Sequence, residues 1–152
     1  MFKQIVVGTD GSATASEAVR RAANLAVTYD ARLHLVTAYR PAMPGTGAEL
    51  AFVAGAPMVF DAPEADAERS AQAAEMLRRT VEGLPVKVAQ TETHVRPGDA
   101  ADVILDVAEE NGADLIVVGN KGMTGARRFL LGSVPNKVSH HAPCNVMIVR
   151  TT

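Results

Sequence analysis

Short apolar runs alternate with helical segments along this chain of 152 residues. The runs are rich in Val, Ile and Leu, as buried parallel strands are, and apolar residues between them recur at helical spacing. Strands are predicted over residues 4–7, 32–39, 86–95, 115–118 and 145–149, and helices over 14–28, 64–82 and 133–141. A further helix is predicted to follow Asp99 and to include Val103, Ile104, Val107 and Ala108. This alternation predicts an α/β fold, in which right-handed crossovers place helices on both faces of a parallel sheet.

Local signals mark where three of these helices begin. Thr14-Ala-Ser-Glu17 matches a capping box at the start of the first helix. Asp99 follows a Pro-Gly turn and is the expected N-cap of the third helix. Pro135 falls in the first turn of the last helix, where proline is tolerated but removes one N–H donor.

Residues 40–63 form a connection that is long for a compact domain. Prolines and glycines surround its apolar middle at residues 49–53. A flap over a ligand, a partner surface and a locally disordered loop all fit this composition. The chain length otherwise predicts a single domain over residues 1–152, large enough for a substantial core.

Charge and cysteine content narrow the class of protein. A net charge of -2 gives no reason to expect the broad basic surface that nucleic acids require. The one cysteine, Cys144, rules out an internal disulfide framework and fits a reducing compartment. The sequence has neither a signal-peptide pattern nor an apolar stretch near the ~20 residues of a membrane span. We therefore expect a cytoplasmic protein without nucleic-acid or membrane partners.

The most informative motif follows the fourth predicted strand. It reads Gly119-Asn120-Lys121-Gly122, nine further residues, then Gly132-Ser133 at the start of the last helix. Glycine turns let the backbone approach a ligand, and a helix N-terminus offers unpaired N–H groups with a positive dipole end. The motif therefore favours a phosphate site, although an ordinary glycine-rich turn between strand and helix has the same local features.

A second loop, Gly8-Thr9-Asp10-Gly11-Ser12, follows the first predicted strand. Ligands of open parallel sheets bind beyond the carboxyl ends of the strands, so both loops are expected at one edge. Asp10 suits a Mg²⁺ ion or a ribose hydroxyl, or is simply a turn residue. Ser133 can donate to a phosphate and can also cap its helix.

Charge along the chain supports an anion site at the glycine motif. No acidic residue follows Asp114, so the last 38 residues carry +5 and the first 114 carry -7. Three of those five cations, Lys121, Arg127 and Arg128, lie within the motif. A basic cluster in an acidic chain is expected where an anion binds, and it is also found on ordinary solvated faces.

The sequence gives little support for a P-loop or dinucleotide site, a metal site or a catalytic triad. The Walker and G-x-G-x-x-G patterns are absent, as are the C-x-x-C and H-E-x-x-H spacings of metal sites. His34 and His94 lie on predicted strands, where we expect structural roles. No Ser-His-Asp arrangement can be inferred, so the sequence predicts binding without an evident catalytic base.

These motifs together resemble the universal stress protein family. The loop Gly8–Ser12, the complete Gly119-x2-Gly122-x9-Gly132-Ser133 signature and the final strand ending at Val149 carry the resemblance, which covers essentially the whole chain. It implies a five-stranded sheet in the order 3-2-1-4-5 with four helices. It also implies an adenine nucleotide between the loops after strands one and four, and a homodimer through Asn145–Val149.

The resemblance further implies which residues contact the nucleotide. Asp10 would approach the ribose, phosphates and Mg²⁺, Ala38 would face adenine through its backbone, and Arg127 would act electrostatically. The implied set is Gly8, Thr9, Asp10, Ala38, Gly119, Asn120, Lys121, Gly122, Arg127, Gly132, Ser133 and Val134.

Four functions fit these expectations. The first is a sensor in which bound ATP orders the glycine loop and biases a partner surface. A slow Mg-dependent ATPase would use Asp10 and Lys121 in phosphoryl transfer. Some family members bind cyclic AMP, which needs no Mg²⁺ and would rely less on Asp10. The fourth is a dimeric interaction module with weak nucleotide binding, paired through its apolar edge strand.

Overall fold

A computed structural model describes residues 1–41, 55, 62–121 and 131–150 of the chain. Strands and helices alternate through this part of the chain, as the sequence predicts. The strands are β1 (Gln4–Gly8), β2 (Arg32–Tyr39), β3 (Thr91–Pro97), β4 (Leu115–Gly119) and β5 (Asn145–Val149). The helices are α1 (Ala13–Tyr29), α2 (Ala62–Glu82), α3 (Ala100–Glu110) and α4 (Ser133–His141).

The described strands form one parallel sheet in the order β3-β2-β1-β4-β5. The predicted fold class and strand order are therefore confirmed. The chain builds outwards from β1 to β3 and then returns to the other side of β1 with β4. Strand order thus reverses between β1 and β4, and a crevice is expected there at the carboxyl edge.

Two apolar layers hold helices against the two faces of the sheet. Ile5 and Val7 of β1 pack in a layer with α1 and with Leu77 of α2. The intervening Val6 packs in the opposite layer with α3 and with Val138 of α4. Since both faces are covered, the strands are apolar at consecutive positions rather than at alternate ones.

The third strand begins later than predicted, at Thr91 rather than at residue 86. Leu33 pairs with Thr91 and β2 starts at Arg32, so β2 offers no residue with which Val86 could pair. Val86 and Val88 instead pack against the layer beneath α1 and α2. Their apolar spacing therefore reflects packing of an irregular segment.

Helix starts were predicted with mixed success. Asp99 is confirmed as an N-cap, since its carboxylate accepts hydrogen bonds from the N–H groups of the first turn of α3. The capping box at residues 14–17 is wrong, because Ser12 caps α1 and accepts from Ala15 N at 3.2 Å. Glu17 lies on the surface of α1, where its carboxylate binds Arg20 and Arg21.

The long connection predicted at residues 40–63 lies mostly outside the described residues. Among the residues that the structure does describe, no helix is both long and apolar enough to cross a bilayer.

Candidate functional site

A cavity of about 380 Å³ lies at the carboxyl edge of the sheet. The ends of β1, β2 and β4 form its base, and the starts of α1, α3 and α4 contribute to its walls. The loop after β1 and the residues after β4 therefore meet, as expected because both follow the carboxyl ends of parallel strands. The predicted residues that line the cavity are Gly8, Thr9, Asp10, Ala38, Gly119, Lys121, Gly132, Ser133 and Val134.

Hydrogen bonds within the loop after β1 hold its shape. Thr9 N donates to Val36 O at 2.9 Å, which ties the loop to β2. Gly11 N donates to Thr9 Oγ1 at 3.2 Å, and Gly11 adopts a φ of 77° that favours glycine. Ser12 N donates to Asp10 Oδ1 at 2.9 Å, and Ser12 then caps α1. The exposed Asp10 carboxylate is thus held beside the cavity in a defined turn.

The start of α4 brings backbone donors to the opposite wall. Its N-cap is Gly132, which has no side chain with which to bond the first turn. Ser133 is the first helical residue, so the alternative of Ser133 as N-cap is wrong. The first N–H groups of a helix lack partners within it, so those of Ser133 and Val134 can donate to an anion. The next residue, Pro135, lines the cavity but has no N–H.

Two glycines are required by close packing around the cavity. A Cβ atom on Gly8 would lie 2.3 Å from Cδ1 of Ile104, a residue of the cavity wall. A Cβ atom on Gly119 would lie 2.8 Å from Cγ2 and 3.2 Å from the carbonyl oxygen of Thr14. Both strands end where a helix approaches their backbone, so these positions have steric as well as binding reasons to be glycine.

The cavity combines apolar walls with two cationic side chains. Val36, Ile104 and Val118 give it apolar surface, while Lys121 and Arg40 supply positive charge. A planar apolar group and an anionic group can therefore be bound together. This composition is typical of small-molecule sites, where few polar groups fix the orientation of the ligand.

Not every basic residue of the C-terminal region contributes charge to the cavity. Lys137 lies 3.3 Å from Asp99 and 2.7 Å from Asp102, and so links α4 to α3. The hydrogen bond from Lys137 to Asp102 raises the lysine pKa and outweighs burial, which lowers it. Lys137 is therefore part of a helix–helix contact.

One predicted residue that the structure describes does not line the cavity, and two more cannot be placed against it. Asn120 is not one of its lining residues; its N–H donates to Val149 O at 2.9 Å, and its carbonyl accepts from Gly132 N at 3.0 Å. Gly122 and Arg127 lie outside the described residues.

Sequence reasoning missed several lining residues, most clearly Arg40 and Ile104. Arg40 directly follows β2, so its place at a strand end was a usable signal. Ile104 lies within α3, and no local pattern distinguishes it from an ordinary core residue. The others that were missed are Ala15, Val36, Thr37, Ala100, Val118 and Pro135.

Fold and site together define a parallel α/β protein with a cavity at the switch point of its sheet, lined in part by the cationic side chains of Arg40 and Lys121. The sequence model of the universal stress protein family matches residues 1–150, and the chain belongs to this family. Universal stress protein YxiE of Bacillus subtilis is 34% identical over 150 residues, covering 99% of this chain and 100% of that protein. Universal stress protein Rv1636 of Mycobacterium tuberculosis is 36% identical over 159 residues, covering 99% and 98%.

Solved structures agree with this assignment. Universal stress protein UspA from Lactobacillus plantarum superposes with a TM-score of 0.78 at 26% identity, covering 97% of both chains. A universal stress protein in complex with cAMP gives 0.63 at 29% identity, covering 99% of this chain and 98% of that one. The universal stress protein from Archaeoglobus fulgidus in complex with dAMP gives 0.54 at 25% identity, covering 96% of both.

Proposed function

We propose that this protein binds an adenine nucleotide, ATP with Mg²⁺, and acts as a sensor or regulatory module. The observation that carries the proposal is the cavity that joins the loop after β1 to the start of α4. Two structural relatives were solved in complex with cAMP and dAMP, which supports an adenine nucleotide as the ligand class.

The charge pattern favours one orientation of the nucleotide. The N–H groups of Ser133 and Val134 and the cation of Lys121 suit the phosphates. Adenine then occupies the apolar side near Val36 and Ala38, where backbone groups at the end of β2 can bond its edge. Asn120 acts through its backbone, by holding α4 in place, rather than by touching the ligand.

Asp10 is the residue that would hold Mg²⁺. Protein sites for Mg²⁺ use one or two carboxylates and are completed by substrate phosphates and water. The exposed Asp10 carboxylate at the cavity fits this requirement. The ion would neutralise phosphate charge.

A sensor is favoured over an ATPase because the site is poor in proton-transfer groups. Among the described residues that line the cavity, Asp10 is the only acid, and none is His or Cys. If Asp10 holds the metal, no second carboxylate of this set remains to position water. Cyclic AMP is the second candidate ligand, favoured by the relative in complex with cAMP.

The proposal includes a cytoplasmic homodimer. β5 is an edge of the sheet in the described part of the chain, and its Met147 side chain is exposed. An apolar edge strand tends to pair with a second copy. A single cysteine among 152 residues fits a reducing compartment.

Identification of the bound nucleotide is the first test. Protein purified without added nucleotide is denatured and the released ligand is identified by mass. Calorimetric titration of the nucleotide-free protein with ATP, ADP and cyclic AMP, with and without Mg²⁺, then ranks the ligands. We expect ATP with Mg²⁺ to bind most tightly; a preference for cyclic AMP that is independent of Mg²⁺ would replace ATP in the proposal.

Matched lysine variants test the orientation. Loss of a charge-assisted hydrogen bond costs about 1.5–3 kcal/mol, so Lys121→Ala should weaken ATP about tenfold or more and adenosine little. Lys87→Ala removes an exposed lysine outside the cavity lining and should leave both affinities unchanged. Equal affinities for ATP in the two variants would reject the assignment of Lys121, and no adenine-nucleotide binding at millimolar concentration would reject the proposed function.

A further inference from the structure

Three side chains with metal-ligating atoms meet between β2 and β3, in a cluster that we call the His-Glu-His cluster. Its members are His34, Glu92 and His94, and one ligand atom from each lies within 4.8 Å of the others. His34 Nδ1 lies 3.0 Å from His94 Nε2 and 3.7 Å from Glu92 Oε2. Two imidazole nitrogens and a carboxylate oxygen therefore converge on one point.

Strand register produces this convergence. In the parallel pair, His34 lies opposite Glu92, and Val36 lies opposite His94. Because side chains alternate between the faces of a sheet, these positions share one face. The cluster thus joins His34 to Glu92 and His94, which lie far from it in sequence. For this reason the sequence contains no local metal-binding spacing that predicts the cluster.

Gln4 of β1 orients the central ligand. Its Oε1 lies 2.9 Å from His34 Nε2, so the carboxamide oxygen accepts a hydrogen bond from Nε2–H. The lone pair of the neutral ring then lies on Nδ1, the atom that faces His94 and Glu92. Metal-binding histidines usually have such a hydrogen-bond partner on the far side of the ring, which fixes the tautomer and the orientation of the imidazole.

The two carboxylate oxygens of Glu92 face different neighbours. Arg32 lies 3.3 Å from Glu92 Oε1, whereas the oxygen that faces His34 is Oε2. The carboxylate can thus keep its arginine partner on one oxygen and ligate through the other.

We propose that His34 Nδ1, His94 Nε2 and Glu92 Oε2 form a binding site for Zn²⁺. Zinc bonds to histidine and carboxylate are about 2.0–2.2 Å long, so ligand atoms around a tetrahedral ion lie roughly 3.3 Å apart. The observed separations of 3.0 and 3.7 Å bracket that value. The Glu92 side chain is 46% exposed, which leaves a side of the cluster open to a water ligand.

Binding requires only a shift of one proton between ring nitrogens. Without the ion, His94 Nε2–H donates to His34 Nδ1. With the ion, both of these nitrogens use their lone pairs, and the proton of His94 moves to its Nδ1. The metal would join the edge strand β3 to β2.

This site is separate from the proposed nucleotide site. None of its three ligands lines the cavity at the carboxyl edge of the sheet. Failure of one proposal therefore leaves the other standing.

Zinc titration of the chelator-treated full-length protein tests the inference. A chromophoric chelator that competes for Zn²⁺ reports stoichiometry and affinity, and Co²⁺ in place of Zn²⁺ gives the visible absorption of tetrahedral coordination. We expect one equivalent of Zn²⁺ to bind, with Mg²⁺ unable to compete at millimolar concentration because imidazole is not a ligand it favours. Glu92→Gln and His94→Gln should each weaken zinc about tenfold or more.

The variant His140→Gln/His141→Gln is the matched control. Those histidines are exposed at the end of α4, and their replacement should leave zinc affinity unchanged. Circular dichroism of the metal-free variants separates loss of a ligand from loss of fold, and Glu92 is exposed enough to be replaced safely. The proposal would be overturned if Glu92→Gln and His94→Gln bound zinc as tightly as the wild type, or if the control variant lost binding. It would also be overturned if the wild type bound no Zn²⁺ at a concentration of about 100 μM, which corresponds to a free energy of binding of about -5.5 kcal/mol.

Discussion

Gly132 donates a backbone hydrogen bond of 3.0 Å to the carbonyl oxygen of Asn120. The N–H of Asn120 in turn donates to Val149 of β5 at 2.9 Å. The end of β4 is therefore tied both to the edge strand and to the N-cap of α4. This connection brings the first turn of α4 to the cavity, where its N–H groups can meet a ligand.

Removing this hydrogen bond should weaken nucleotide binding. Gly132 has a φ of -60°, which proline adopts readily, so Gly132→Pro chiefly deletes the donor and crowds Asn120. We expect a loss of about 1–2 kcal/mol in unfolding free energy, from the lost hydrogen bond, and roughly tenfold in ATP affinity. Denaturant unfolding and calorimetry measure the two effects.

Gly132→Ala is the control for that variant. It keeps the N–H and adds a Cβ atom 3.3 Å from Asn120 O, a contact that needs a small adjustment. If the alanine variant lost as much affinity as the proline variant, crowding rather than the hydrogen bond would explain both.

The close approach of Ile104 to Gly8 predicts that shortening Ile104 partly restores the stability lost when Gly8 is replaced by alanine. Gly8→Ala places a Cβ atom 2.3 Å from Ile104 Cδ1, and this overpacking should destabilise the protein by about 1–3 kcal/mol. Ile104→Val removes Cδ1 and alone costs about 0.5–1.5 kcal/mol. In the double variant we expect the loss of unfolding free energy to be smaller than the sum of the two single losses by about 0.5 kcal/mol or more, as measured by a double-mutant cycle. Additive costs would contradict the steric explanation.

Asp99 should make stability depend on pH in the acid range. Burial acts to raise the pKa of this carboxyl, but hydrogen bonds from Asp102 N–H and Lys137 outweigh it and hold the pKa below 3.8. Because the folded pKa is depressed, the unfolded chain binds the proton first. The stabilisation is therefore present above pH 3.8 and is lost as pH falls through the folded pKa.

Two substitutions at Asp99 separate the charge from the cap. Asp99→Asn keeps an N-capping side chain and loses the exposed pair with Lys137, worth about 0.2–1 kcal/mol. Asp99→Ala also loses the cap, about 1 kcal/mol more. Urea unfolding at a series of pH values should show the wild type converging on Asp99→Asn below pH 3.8. A difference that stayed constant down to pH 2 would refute the linkage.

The exposed edge of β5 predicts how a dimer is disrupted. Met147 is 36% exposed on this strand, whereas its neighbour Ile148 packs against the core. Met147→Lys should therefore reduce association without unfolding the chain, because a lysine on an edge strand opposes strand pairing. Sedimentation velocity measures the shift towards monomer. Val27→Lys changes another exposed apolar side chain, on α1, and should not alter association; a Met147→Lys protein that remained dimeric would exclude this edge.

Much of the fold could be predicted because most helices and strands are indicated by the residues within them. Apolar strands, helical spacing and the Asp99 cap all reflect interactions among neighbours in sequence. One error arose where a distant partner decides, because β2 has no residue opposite Val86 and β3 therefore begins later, at Thr91. The other error was local, since Ser12 rather than Thr14 caps α1. Gly122 and Arg127 remain predictions.

The sequence by itself determined the class of fold, the family and the two loops that meet at the cavity. Gly11, with its positive φ, and the turn around it follow from backbone requirements that act over a few positions. Only the tertiary structure decided that Ile104 forms a wall of the cavity, that Lys137 is held by acids at the start of α3, and that His34 meets His94. Those contacts depend on strand register and helix packing between segments distant in sequence, for which no local pattern of residues is diagnostic.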